Sequence, residues 1–136
     1  MEFADVVSRL RFLGKIKANE KLDVNVLRLR SNNAYTRLQR TYRSYVLQDE
    51  KSCRTATLDY ITATFEKAFE LLANVSNTET YKFPLLVNGV RDAITGVEML
   101  RETYVDDRMF VARLQTLIDV STAKLLVIQP PPIAPY

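Results

Sequence analysis

Histidine and tryptophan are missing from this 136-residue chain, which also has only one cysteine and three glycines. Histidine is the commonest general acid or base near neutral pH and the commonest metal ligand. Its absence leaves catalysis to Asp, Glu and Lys, and no Ser, Thr or Lys stands beside an obvious activating base. Gly14, Gly89 and Gly96 are isolated, so no glycine-rich loop can cradle a phosphate. Cys53, between Ser52 and Arg54, has no partner for an internal disulfide. It reads as a half-buried bystander in a reducing compartment rather than as a reactive thiol. No apolar run approaches the ~20 residues that span a bilayer. The opening MEFADVVSRL lacks a basic region followed by a hydrophobic core, so no signal peptide is expected. Glu2 excludes myristoylation of a glycine at that position. These absences point away from an enzyme, a metal or a cofactor and towards a binding or assembly protein.

What is present can build a core. Hydrophobic residues make up 47% of the chain, whose length suits one domain. Charge is uneven along it. Residues 1–54 hold twelve Lys/Arg against six Asp/Glu, a balance of +6, and residues 55–136 hold seven against ten, a balance of −3. A basic end and an acidic end favour contact between copies, or one basic face turned to an anionic surface.

Periodicity sets the expected elements. Phe3, Val6, Val7, Leu10 and Leu13 form one helical stripe, which Gly14 is expected to terminate. Residues 15–21 are polar and read as a loop. Leu22, Val24 and Val26 alternate, which fits one short strand over 22–29 acting as an extended arm or pairing with another chain. Tyr35, Leu38, Tyr42 and Tyr45 return to helical spacing, and a break is expected at 48–52. Beyond it Leu58, Ile61, Phe65, Phe69 and Leu72 form the clearest stripe, joined by Ala68 and Val75. Residues 74–80 read as a polar turn; Asn74-Val75-Ser76 fits the glycosylation pattern there, by coincidence in such a chain. After Pro84, tolerated in a first helical turn, the stripe continues through Leu86/Val87, Val90, Ile94, Val97 and Met99/Leu100 to Tyr104. Gly89 and Gly96 lie seven apart on that helix and mark a close helix–helix approach. A last helix, capped by Asp106 or Asp107, carries Phe110, Leu114, Leu117/Ile118 and Leu125.

The expected fold is therefore all-α. Helices over about 50–75, 83–104 and 106–126 form a small antiparallel bundle. The bundle core spans 50–128, preceded by a basic region over 1–49 with the extended arm and two short helices that pack across it or reach outward. A Pro-rich tail over 129–136 follows. Pro130, Pro131 and Pro132 impose a polyproline II conformation, and Pro132 and Pro135 give a P-x-x-P spacing for a docking peptide, although a simple tether suits it better.

Two clusters invite chemical readings. RLQRTYRSY (residues 37–45) interleaves Arg37, Arg40 and Arg43 with tyrosines. Guanidinium groups bind phosphate and aromatic rings stack on bases, yet Tyr35, Tyr42 and Tyr45 also share an apolar stripe that suits a protein interface. Together with Leu22, Val24 and Val26 these six residues form the candidate interaction surface. Asp106 and Asp107 could share a divalent cation. Consecutive helical residues diverge, however, and acids at a helix start complement the backbone dipole without further purpose. Glu98 and Glu102 bracket Arg101 on an ordinary solvated face.

The final third, GVEMLRETYVDDRMFVARLQTLIDVSTAKL, carries Gly96, Leu100, Thr103-Tyr104, Asp107-Arg108-Met109-Phe110, Leu114, Thr116-Leu117 and Ile118. In that pattern, and in the stretch RFLGKIKANEKLDV, the chain resembles small helical virion proteins of nucleocytoplasmic large DNA viruses, iridovirus- or phycodnavirus-like. Asn19-Glu20-Lys21 stands where that family carries a Pro-Gly-Glu-Lys turn. The resemblance implies a non-enzymatic minor capsid protein that joins capsomers on the inner face of a large icosahedral shell. It would be assembled in the host cytoplasm, with the major capsid protein, other minor capsid proteins and further copies of itself as partners. The alternative is a basic nucleic-acid-binding virion or nuclear protein using the Arg/Tyr helix. Neither reading supplies catalytic, metal or cofactor residues.

Overall fold

A stripe of apolar residues at three- and four-residue spacing is stable as a helix only when a second surface covers it, and four such helices cover one another here. The computed structural model describes residues 2–19 and 50–131, with the side chains of the second stretch from Arg54 onward. Within them lie α1 (Phe3–Gly14), α2 (Glu50–Ala73), α3 (Lys82–Thr103) and α4 (Arg108–Val127), and no strand. The expected arm over 22–29, the Arg/Tyr helix and residues 132–136 of the tail lie outside the described residues.

α3 is the centre of the molecule. Leu86, Val90, Ala93, Val97 and Leu100 are buried completely along it. α1 lies against α3 as its most intimate neighbour, contributing Val6, Leu10 and Leu13, all without exposure. Of the two placements open to α1, it packs across the bundle. α2 adds Ala56, Ile61, Phe65, Ala68 and Leu72, and α4 adds Phe110, Leu114 and Ile118. α2 and α3 touch each other and both outer helices, whereas α1 and α4 make no contact, so these two flank the α2–α3 pair.

The glycines explain the tight seam. A Cβ on Gly96 would overlap the carbonyl oxygen of Leu13, a backbone atom that cannot move aside. A Cβ on Gly89 would come within 3.1 Å of the Leu10 side chain, and one on Gly14 within 3.0 Å of Asp92. The close approach expected from Gly89 and Gly96 is therefore present. The expected role of Gly14 as terminator is not. No glycine among the described residues has a positive φ. The helix instead ends through Lys15 in right-handed geometry, with backbone N–H groups of Lys15 and Ile16 donating to Phe12 and Leu13 carbonyls. Gly14 is small because Asp92 is near.

Three further expectations need correction. Ile16, within the stretch read as a polar loop, is 5% exposed and belongs to the core. The expected break at 48–52 does not extend past Glu50, where α2 has begun. The α2 stripe is wider than expected, because Thr57, Tyr60 and Thr64 are buried beside it. The Thr64 hydroxyl donates to the Tyr60 carbonyl at 2.7 Å, so its burial strands no donor.

Gly96→Ala should lower stability by about 3 kcal/mol, the upper part of the usual overpacking range. Gly89→Ala meets a yielding side chain and gains ~1 kcal/mol of helix propensity, so its stability should change by less than about 1 kcal/mol. Urea midpoints at unchanged m-value would read both.

Candidate interaction surface

The four residues between α3 and α4 reverse the chain and are held from three sides. Tyr104, buried at the end of α3, packs edge-on to Phe110 with ring centroids 5.0 Å apart. The Arg54 guanidinium of α2 lies 5.0 Å from the Tyr104 ring centroid and pairs with Asp107 at 2.5 Å. The other carboxylate oxygen of Asp107 accepts from the backbone N–H of Phe110 at 3.1 Å, capping α4. Asp107 thus serves as helix cap and ion-pair partner together. Asp106 is exposed and stands apart from this arrangement. Among the described residues no group of three His, Cys, Asp or Glu side chains could hold a metal ion.

α4 is apolar on two sides. Its inner side buries Phe110, Leu114, Ile118 and Ser121. Its outer side carries Met109, Ala112, Thr116, Val120, Ala123 and Val127 at spacings of three and four, all exposed. Met109 is 70% exposed and Val127 74%, with Val105 ahead of the helix at 67% and Leu126 beside its end at 81%. The most exposed large apolar residues therefore cluster at the two ends of one helix, joined by a stripe of small residues. The Thr116 hydroxyl donates to the Ala112 carbonyl at 3.1 Å, so this face could be covered without stranding a donor. Such a patch is the usual mark of a contact with another molecule.

Two other surfaces are open. Phe3, Val7, Phe12 and Leu85 line a groove of about 850 Å³ on the outer side of α1, edged by Arg11 and Lys15. At the far end of the molecule a groove of about 560 Å³ runs between Phe69 and Val75 and the start of the tail at Pro130 and Pro131. Lys124 lies over the Phe69 ring there, 5.2 Å from its centroid.

The surface expected from the sequence, Leu22, Val24, Val26, Tyr35, Arg37, Arg40, Tyr42, Arg43 and Tyr45, lies outside the described residues. The outer α4 stripe escaped the sequence reading because the inner stripe alone accounts for a helix. Its signal was present, since a helix with apolar residues on both sides exceeds what one core contact requires. No family model matches the chain, and no match occurs among curated proteins or solved structures.

Asp107→Ala should destabilise by about 1–2 kcal/mol through loss of the cap, with Asp107→Asn clearly milder because an acceptor remains. Asp106→Ala should leave the melting temperature unchanged, and so should added magnesium. Thermal unfolding of the three variants, with and without the cation, measures all of this.

Proposed function

We propose that this chain is a structural protein of a large DNA-virus particle, of the minor capsid class, that joins capsomers from the inner face of the shell. It is not an enzyme. The outer face of α4 carries the proposal: an amphipathic helix covered on one side only, with exposed apolar residues along its whole length. A helical bundle presenting that face, with the segment before α2 and the Pro-rich sequence after α4, would give one small molecule several points of attachment. Such a role requires no histidine, no phosphate loop and no metal, which agrees with the composition. Partners would be the major capsid protein, other minor capsid proteins and further copies of the chain, in the quasi-equivalent contacts of a large shell.

The +6 balance of residues 1–54 favours one competing reading, binding of nucleic acid through Arg37, Arg40 and Arg43. It requires an affinity that falls steeply with salt, in proportion to the phosphates neutralised. The capsid reading requires an affinity for shell protein that survives removal of the genome.

Crosslinking of intact particles followed by mass spectrometry is the decisive measurement. Links from α4 to shell proteins, unchanged by nuclease, are expected. Absence of the chain from purified particles, or links to nucleic acid alone, overturns the proposal. Filter binding at low and physiological salt should show no specific retention of DNA or RNA. A Val120→Glu variant should keep its helical content and melting temperature, since it alters an exposed side chain, yet should fail to enter particles.

A further inference from the structure

The α4 face has a pattern that fits itself. We infer that it pairs with the α4 of a second copy, antiparallel, about a two-fold axis passing beside Thr116. From Met109 to Val127 the stripe runs about 27 Å at 1.5 Å per residue. Placing Thr116 against the partner's Thr116 sets Met109 opposite the partner's Ala123 and Ala112 opposite the partner's Val120. The partner's Val127 then reaches the exposed turn that precedes α4, where Val105 lies. Large residues meet small ones along the centre, and the two exposed apolar ends cover each other. A parallel pair would instead oppose Met109 to Met109 and alanine to alanine, leaving gaps between clashes.

One flank of charges fits the same arrangement. Arg108 and Asp119 are both exposed and eleven residues apart, three helical turns, so they share one flank of α4. Reversal about Thr116 brings Arg108 to within about a turn and a half of the partner's Asp119 on that flank, within reach of a long side chain. Each contact occurs twice by symmetry, as an isologous interface requires. On the opposite flank Arg113 stands at the same offset from the partner's Lys124, a like-charge approach that keeps the pair weak. A single helix seam falls short of the ~1,200 Å² typical of stable interfaces, so the expected pair is reversible and micromolar.

This inference deepens the assembly reading by naming the occupant of the α4 face. Its test uses the full chain in solution, so the two can fail separately. Sedimentation should show a concentration-dependent dimer, weakened at least tenfold by Val120→Glu. With Cys53→Ser as background, Thr116→Cys should crosslink to itself under mild oxidation. Met109→Cys and Ala123→Cys should crosslink to each other when mixed but not when alone. Arg108→Glu and Asp119→Arg should each weaken the dimer, and the double variant should restore it, which a merely structural role of either residue would not produce. A chain that stays monomeric at its highest soluble concentration, or a dimer indifferent to Val120→Glu, overturns the inference. A monomer that still enters particles through α4 removes self-pairing and leaves the capsid reading standing; a dimer absent from particles does the reverse.

Discussion

The contact between Gly96 and the Leu13 carbonyl sets how the whole molecule is built. All three glycines of the chain lie on the seam between α1 and α3, two on one helix and one on the other. A glycine within a helix costs about 1 kcal/mol against alanine. Here that cost is offset by the complete burial of Val6, Leu10 and Leu13 against Val90, Ala93 and Val97. With α1 pressed backbone-to-backbone on α3 at Gly96, the apolar face of α3 through Val90, Ala93 and Val97 is buried. A chain otherwise poor in glycine thus uses all it has where bulk cannot be accommodated.

Sealing that side fixes where the open surface falls. α1 and α4 flank the α2–α3 pair without touching, so among the described residues α4 receives cover from one direction only. Its inner side is anchored at the turn, where Arg54 reaches from α2 to Asp107 and the Tyr104 ring, and further along where Arg101 donates to Gln115. These contacts hold the helix in place while leaving Met109, Val120 and Val127 outward. The inner side of α4 is thus held in place, and its outer side stays exposed without rearrangement.

Much of this was legible in the residues, and the failures have physical causes. The stripes through Ile61 and Phe65, through Val90 and Val97, and through Phe110 and Leu114 appear in sequence because burial selects one helical face. A cap at Asp106 or Asp107 was legible because a carboxylate ahead of an apolar run satisfies an orphan N–H, and the fold gives that role to Asp107. Ile16 was not, since one apolar residue among lysines carries no period. Arg9 was equally hidden: it is 5% exposed, with its guanidinium 5.1 Å from the Tyr60 ring centroid, and only the fold brings the two together. Gly14 looked like a helix stop because glycine often is one, whereas its neighbour Asp92 lies 78 positions away in the chain. The outer face of α4 was written plainly at Met109, Ala112, Thr116, Val120, Ala123 and Val127. A core reading asks each helix for one stripe and stops when it finds it.

The missing histidine bears on how such a face would be controlled. No side chain here has an ordinary pKa between pH 5 and 8 except where an environment shifts one there. The stripe itself carries no charged residue. Contact through α4 is therefore governed by concentration and ionic strength, because exposed ion pairs weaken as salt screens them while apolar cover persists. A molecule that pairs through this face would assemble as its local concentration rises and come apart on dilution. The exposed charges flanking the stripe also keep the uncovered helix soluble and resist promiscuous stacking. Many weak, self-complementary contacts of this kind suit a large array, where strength comes from number and errors can still be released.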